Sequence, residues 1–208
     1  MRSRIASVSG ITARAVRSTA TVTVAATQNN NDTVVINGTT LTWKTTVTDA
    51  TTQIDIGADD LEGAANLATT CAANSTLAAL ITTSVASAVV TLQAIVYGTA
   101  GDAYTLAEAG TSSTISGAVF TNGVNPIIAE ESGKTHIITG YQLALDGAGE
   151  ITFYTGNTAL MGAMEVLADS PFGLADSDGL FACATGEPFS FVATAAGNGW
   201  IAYRTVSG

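Results

Sequence analysis

The chain has 208 residues, room for one large domain or two modest ones, and only 12% of them are charged. Nearly half are hydrophobic, which excludes a disordered chain, and no apolar run approaches the length of a membrane-spanning helix. The net charge of −10 argues against a nucleic-acid-binding body.

That charge is unevenly placed. Residues 1–20 carry Arg2, Arg4, Arg14 and Arg17 and no acid. Residues 21–124 set one Lys against eight acids, and residues 125–208 set two bases against nine. The chain therefore reads as a basic arm (1–20), a first body (21–124) and a second body (125–208). The arm is Arg-rich and Ser-rich like an organelle transit segment, but it is read here as a mature arm able to reach an acidic partner. Ile5, Val8, Ile11 and Val16 lie between its arginines. Ordering an arm costs about 1–2 kcal/mol per residue, so charge alone cannot hold it and these apolar side chains should bury too.

In the first body, Thr21–Val24 alternates as a half-buried strand does. Thr33–Ile36 and Thr39–Lys44 flank Asn37-Gly38, a strong hairpin signal. Asp59 with Glu62 forms a capping-box pattern, and Leu61, Ala64, Ala65, Ala68, Cys71 and Ala72 follow at helical spacing, predicting a helix over 60–73. Strands are expected over 77–86, 88–97, 104–107 and 114–120. Asn122 to Pro126 is dense in turn formers and reads as the linker. In the second body, Ile137, Thr139, Tyr141, Leu143 and Leu145 alternate on one long strand. Ile151 and Phe153 mark the next, and later strands centre on 180–184, 189–195 and 200–206. The fold class is mainly β, with an α+β first body and a second body that is a sandwich or barrel, jelly-roll-like.

No motif carries chemistry strongly. Gly133-Lys134-Thr135 matches the end of a phosphate-binding loop, but Ile128 stands where the first glycine belongs and a strand pattern follows. His136, the sole histidine, falls on the Gln142 face of the long strand, which makes it a surface or interface residue. Asp176-Ser177-Asp178-Gly179 resembles part of a calcium loop, yet Leu174 occupies the first ligand position. A turn is the favoured reading there, and a weak ion site at Asp176 and Asp178 stays open. Asp59, Asp60 and Glu62 suit a helix start. Cys71 and Cys183 have neither metal spacing nor a disulfide framework around them. Trp43 and Trp200 are expected in the two cores. Asn37 and Asn74 head glycosylation sequons, which mean little without a secretory signal. No catalytic residue, cofactor or metal is assigned.

The stretch Thr33–Trp43, then AANLATTCAANS, then AVVTLQAIVYGTAGDAYTLA resembles a small domain recurrent in tailed-bacteriophage structural proteins. The second body, from GEITFYTGNTALMGAM through GEPFSFVATAAGNGWIAYRTV, resembles short phage capsid-associated β-proteins. Together these stretches cover most of residues 33–206. The resemblance implies a non-catalytic virion protein, foremost a capsid decoration (cement) protein. It would be a homotrimer bound to the major capsid lattice, on the outer capsid surface of a virion assembled in the bacterial cytoplasm. Neither nucleic acid nor membrane is implied as a partner. The candidate partner-binding residues are Arg2, Arg4, Ile5, Val8, Ile11, Arg14, Val16 and Arg17. The alternatives are a tail, neck or fibre component, and a carbohydrate-binding β-module using Tyr141, Tyr154 and Tyr203.

Overall fold

A computed structural model describes residues 4–9, 14–168 and 171–208. The chain is mainly β: strands hold 51% of it and helices 12%, in sheets of which none closes into a barrel. It divides into two compact units. One is Arg17–Gly123; the other joins the chain up to Val16 with Val124–Gly208.

The N-terminal strand β1 (Arg4–Ser9) belongs to the second of these and is described with it below. The Arg17–Gly123 unit opens with β2 (Arg17–Val24), whose alternating burial starts before Thr21. Residues 17–20, grouped with the arm in the sequence, are thus the first half of a strand. Its inward positions there are Ser18 and Ala20, and Ser18 meets its burial by donating its hydroxyl to the Gly98 carbonyl at 3.3 Å. A hydrophobicity pattern does not register such a residue.

Strands β3 (Thr33–Ile36) and β4 (Thr39–Lys44) form the hairpin the turn chemistry predicts. Asn37 and Gly38 both take positive φ, 46° and 80°, as a primed turn requires. β5 (Gln53–Asp55) pairs parallel to β4. Helix α1 (Asp60–Ala73) has the expected bounds. Asp59 accepts the Glu62 amide at 2.9 Å, while the Glu62 carboxylate accepts the Ala58 amide at 2.7 Å. A short helix, α2 (Ser75–Ala78), replaces the expected start of a strand at Leu77, because the Asn74 side chain accepts the Thr76 and Leu77 amides at 3.1 Å.

The strands that follow are β6 (Ile81–Ala86), β7 (Val89–Tyr97), β8 (Leu106–Ala109) and β9 (Ser113–Ile115). Two four-stranded sheets result, ordered β6-β7-β2-β9 and β5-β4-β3-β8. Both contribute to one core with Ala64, Leu67 and Cys71 of α1, and Trp43 is fully buried in it.

The other unit carries β10 (Lys134–Leu145), β11 (Gly149–Thr155), β12 (Thr158–Ala159), β13 (Met164–Val166), β14 (Phe172–Ala175), β15 (Phe181–Ala182), β16 (Phe189–Ala193) and β17 (Gly197–Ser207). One sheet runs β1-β17-β10-β14 with β15 also on β10; the other runs β12-β11-β13 with β16 also on β11. Ile138, Tyr141, Leu143 and Ile201 from the first share a core with Ile151, Phe153, Phe189 and Phe191 from the second. Tyr141 and Phe153 lie 5.0 Å apart at the centre of an aromatic cluster, each such pair worth about 0.5–1.5 kcal/mol beyond its buried area.

Register fixes which side chains enter this core, and β10 changes phase along its length. Its pairing with β17 shifts between Ile138 and Gly140, leaving Thr139 as an extra residue. Before the bulge the inward positions are His136 and Ile138; after it they are Tyr141, Leu143 and Leu145.

Candidate functional site

The candidate partner-binding residues are the natural starting point. Arg2 and Ile11 lie outside the described residues. Arg4, Ile5 and Val8 lie on β1, which pairs antiparallel with β17 in unbroken register from Arg4 opposite Tyr203 to Ser9 opposite Asn198. Val8 is 3% exposed and belongs to the core, a burial worth about 1.5–3 kcal/mol. Ala6, on the same face, packs against that core. Ile5 faces the other way and is 72% exposed. Arg4 forms an exposed ion pair with Glu131 at 3.2 Å. Arg14 lies over the Tyr154 ring, 5.5 Å from its centroid, and donates to the Asn157 carbonyl at 3.5 Å. Val16 and Val124 exchange backbone hydrogen bonds of 3.1 and 3.0 Å. Arg17 stacks on Tyr97 at 4.2 Å, inside the other unit.

The arm is therefore not a detached extension. Its described residues are built into the chain, and what they present outward is the β1 edge with Ile5 and Arg4. Among the described residues, no strand pairs with the outer edge of β1. The strand contains no proline or bulge, and its one charged residue, Arg4, stands at its first position, so Ile5 to Ser9 carry none of the devices by which proteins keep sheet edges from pairing. The sequence hid this strand because Ile5, its largest apolar residue, points outward.

Trp200 is not a core residue. Ile201 and Tyr203 face inward from β17, so their neighbour Trp200 faces outward and is half-buried. Its indole Nε1–H donates to Gln142 Oε1 at 3.0 Å, directly across the strand pair.

His136 also lies opposite to its expected side. The bulge at Thr139 turns it inward, where it is 1% exposed. Its Nε2 lies 2.9 Å from the Ala129 carbonyl and its Nδ1 3.1 Å from the Thr205 hydroxyl. A carbonyl only accepts, so Nε2 carries a proton. Tyr203 packs edge-on to the ring at 5.7 Å. Both ring nitrogens are engaged, one with β17 and one with the segment that precedes β10.

The remaining motifs resolve into turns. Gly133 has φ 67°, and a strand rather than a helix follows it. Asp176 accepts the Asp178 amide at 2.9 Å, and Arg204 donates to the Ser177 and Asp178 carbonyls at 3.4 and 3.1 Å. Among the described residues no three His, Cys, Asp or Glu side chains gather as a metal site would need. Burial pushes the Cys71 thiol up to about 12 and the Cys183 thiol to about 11, far from the thiolate range. Tyr141 is buried, Tyr203 packs against the core and Tyr154 lies under Arg14, so the three tyrosines form no common platform. No described helix is long and apolar enough to cross a membrane.

No protein-family model matches the chain, and no curated protein matches it.

Proposed function

We propose that the chain is a non-catalytic capsid decoration protein that docks on an assembled major-capsid lattice through the free edge of β1. In this reading the unit bearing α1 is an α+β domain, the other is a jelly-roll-like sandwich, and three copies assemble on the outer capsid surface. The observation that carries the reading is the regular edge strand, charged only at its first residue, with Ile5 exposed on it. Such an edge recruits an extended segment of another chain by main-chain hydrogen bonding, with side-chain pockets adding specificity. The resemblance to phage virion proteins is the ground for taking the other chain to be the shell protein. In this reading Arg4, at the end of β1, exchanges its exposed pairing with Glu131 for acidic groups of the shell. Binding the assembled lattice and not its free subunits shifts the equilibrium toward the lattice, which is how a cement protein stabilises a shell.

The test is to add purified chain to shells assembled without it and image them. The expected result is ordered density at repeating lattice positions with β1 at the contact. Bare shells, with the chain found on tails or fibres instead, would overturn it.

A further inference from the structure

Beside the paired strands β1, β17 and β10 lies a groove of about 380 Å³, lined by Trp200, Gln142, Asn198 and Ala144 together with the core residues Val8 and Leu143. From its chemistry we infer that this groove is a binding site for a neutral saccharide, a property separate from docking on a shell. None of its described lining residues is charged, in a chain with 17 acids and 7 bases. Among the described residues, the groove therefore holds no full charge to pair with a phosphate, a carboxylate or a metal ion.

What it does offer is an aromatic face beside amide groups. The indole N–H can only donate, so its bond to Gln142 Oε1 fixes that amide with its NH₂ end toward solvent. The same bond fixes the edge of the Trp200 ring. The Asn198 side chain and the Gln142 NH₂ make no hydrogen bond within the described residues, and both are exposed. The Asn198 amide and the Gln142 NH₂ together supply donors and an acceptor in the mixture that a run of hydroxyls requires. The indole face carries the negative side of the ring quadrupole and attracts the polarised C–H groups on the flat side of a pyranose. Ala144, small and directly opposite Asn198, leaves room for a ring to approach. Adding even a Cβ at Gly199 would bring it 2.0 Å from the Gln142 carbonyl, so the backbone is closely packed beneath. A concavity that sets an aromatic face beside a few placed polar groups is a usual make-up of a small-ligand site. Val8 of β1 is part of the lining, so the groove and the β1 edge are told apart by their variants: Trp200→Ala and Ala144→Leu alter the groove, Ile5→Lys the edge.

The experiment is calorimetric titration of the full chain with neutral hexasaccharides of glucose (α- and β-linked), xylose, mannose and N-acetylglucosamine, each to about 5 mM. At least one should bind with a dissociation constant of about 1 mM or tighter. Trp200→Ala should weaken that binding at least tenfold. Ala144→Leu, which fills the groove and leaves the indole in place, should weaken it likewise, with both variants keeping the parent's melting transition. Failure of every sugar to bind would overturn the inference. So would binding that survives Trp200→Ala and Ala144→Leu, or binding of a short peptide or acidic sugar in place of all the neutral ones.

Discussion

Asp49 shows how much a single exposed side chain can organise. Its carboxylate accepts from the Thr52 hydroxyl at 2.6 Å, the Thr51 hydroxyl at 2.7 Å and the Thr51 amide at 2.9 Å, so the charged form is favoured. The Thr52 hydroxyl first, then Thr51, lower its pKa from 3.8 to about 2. The Ser112 hydroxyl and the Thr111 amide lower Asp32 in the same direction. A folded-state pKa below the unfolded one adds stability that is complete above the unfolded value and lost as pH falls through the folded value. Asp49→Ala should therefore lower the melting temperature at neutral pH, and the gap from the parent should close as pH falls from 3.8 to about 2. A gap constant across that window would show that the ionised carboxylate is not what holds the 49–52 turn. Other single residues were less legible. Neighbours Trp200 and Ile201 cannot both face inward from one strand, and composition alone favoured the tryptophan for the core; the strand's phase decides for Ile201.

Elements with local chemistry were readable from the sequence, and those set by distant partners were not. The Asn37-Gly38 hairpin and α1 carry their turn and cap within a few residues, and their bounds follow from them. β1 has no local signature, because its pairing partner β17 lies at the other end of the chain. The bulge in β10 is also hidden locally: Ile137, Thr139, Tyr141, Leu143 and Leu145 suggest one continuous face, and only the register against β17 reveals that Thr139 is extra and that Ile138 is the buried one. That one residue is why His136 is buried. Deleting Thr139 would force one half of β10 to present its wrong face, exposing His136 and Ile138 or else Tyr141 and Leu143. We expect the deletion to cost at least about 3 kcal/mol, against less than about 1 kcal/mol for Thr139→Ala, which keeps the spacing. Urea unfolding of the two variants measures both. Equal small losses would mean that the bulge does not set the phase.

Across the whole molecule, the arrangement of the chain matters more than its length. In sequence, the Arg17–Gly123 unit falls between β1 and the rest of the unit to which β1 belongs. Val16 and Val124, which bound that insertion, are held together by paired backbone hydrogen bonds. The basic N-terminal segment is thus part of a folded edge, and removing residues 1–20 would take away both β1 and half of β2. A point change is the sharper probe of the docking proposal. Ile5 is 72% exposed, so Ile5→Lys leaves the core intact while placing a charge beside the free edge, the device natural edges use to refuse a partner strand. The measurement is occupancy of Ile5→Lys and parent chain on shells lacking this protein, with the melting temperature of each recorded alongside. The account predicts an unchanged melting temperature and affinity lower by at least tenfold, about 1.4 kcal/mol. Undiminished occupancy by Ile5→Lys would contradict it.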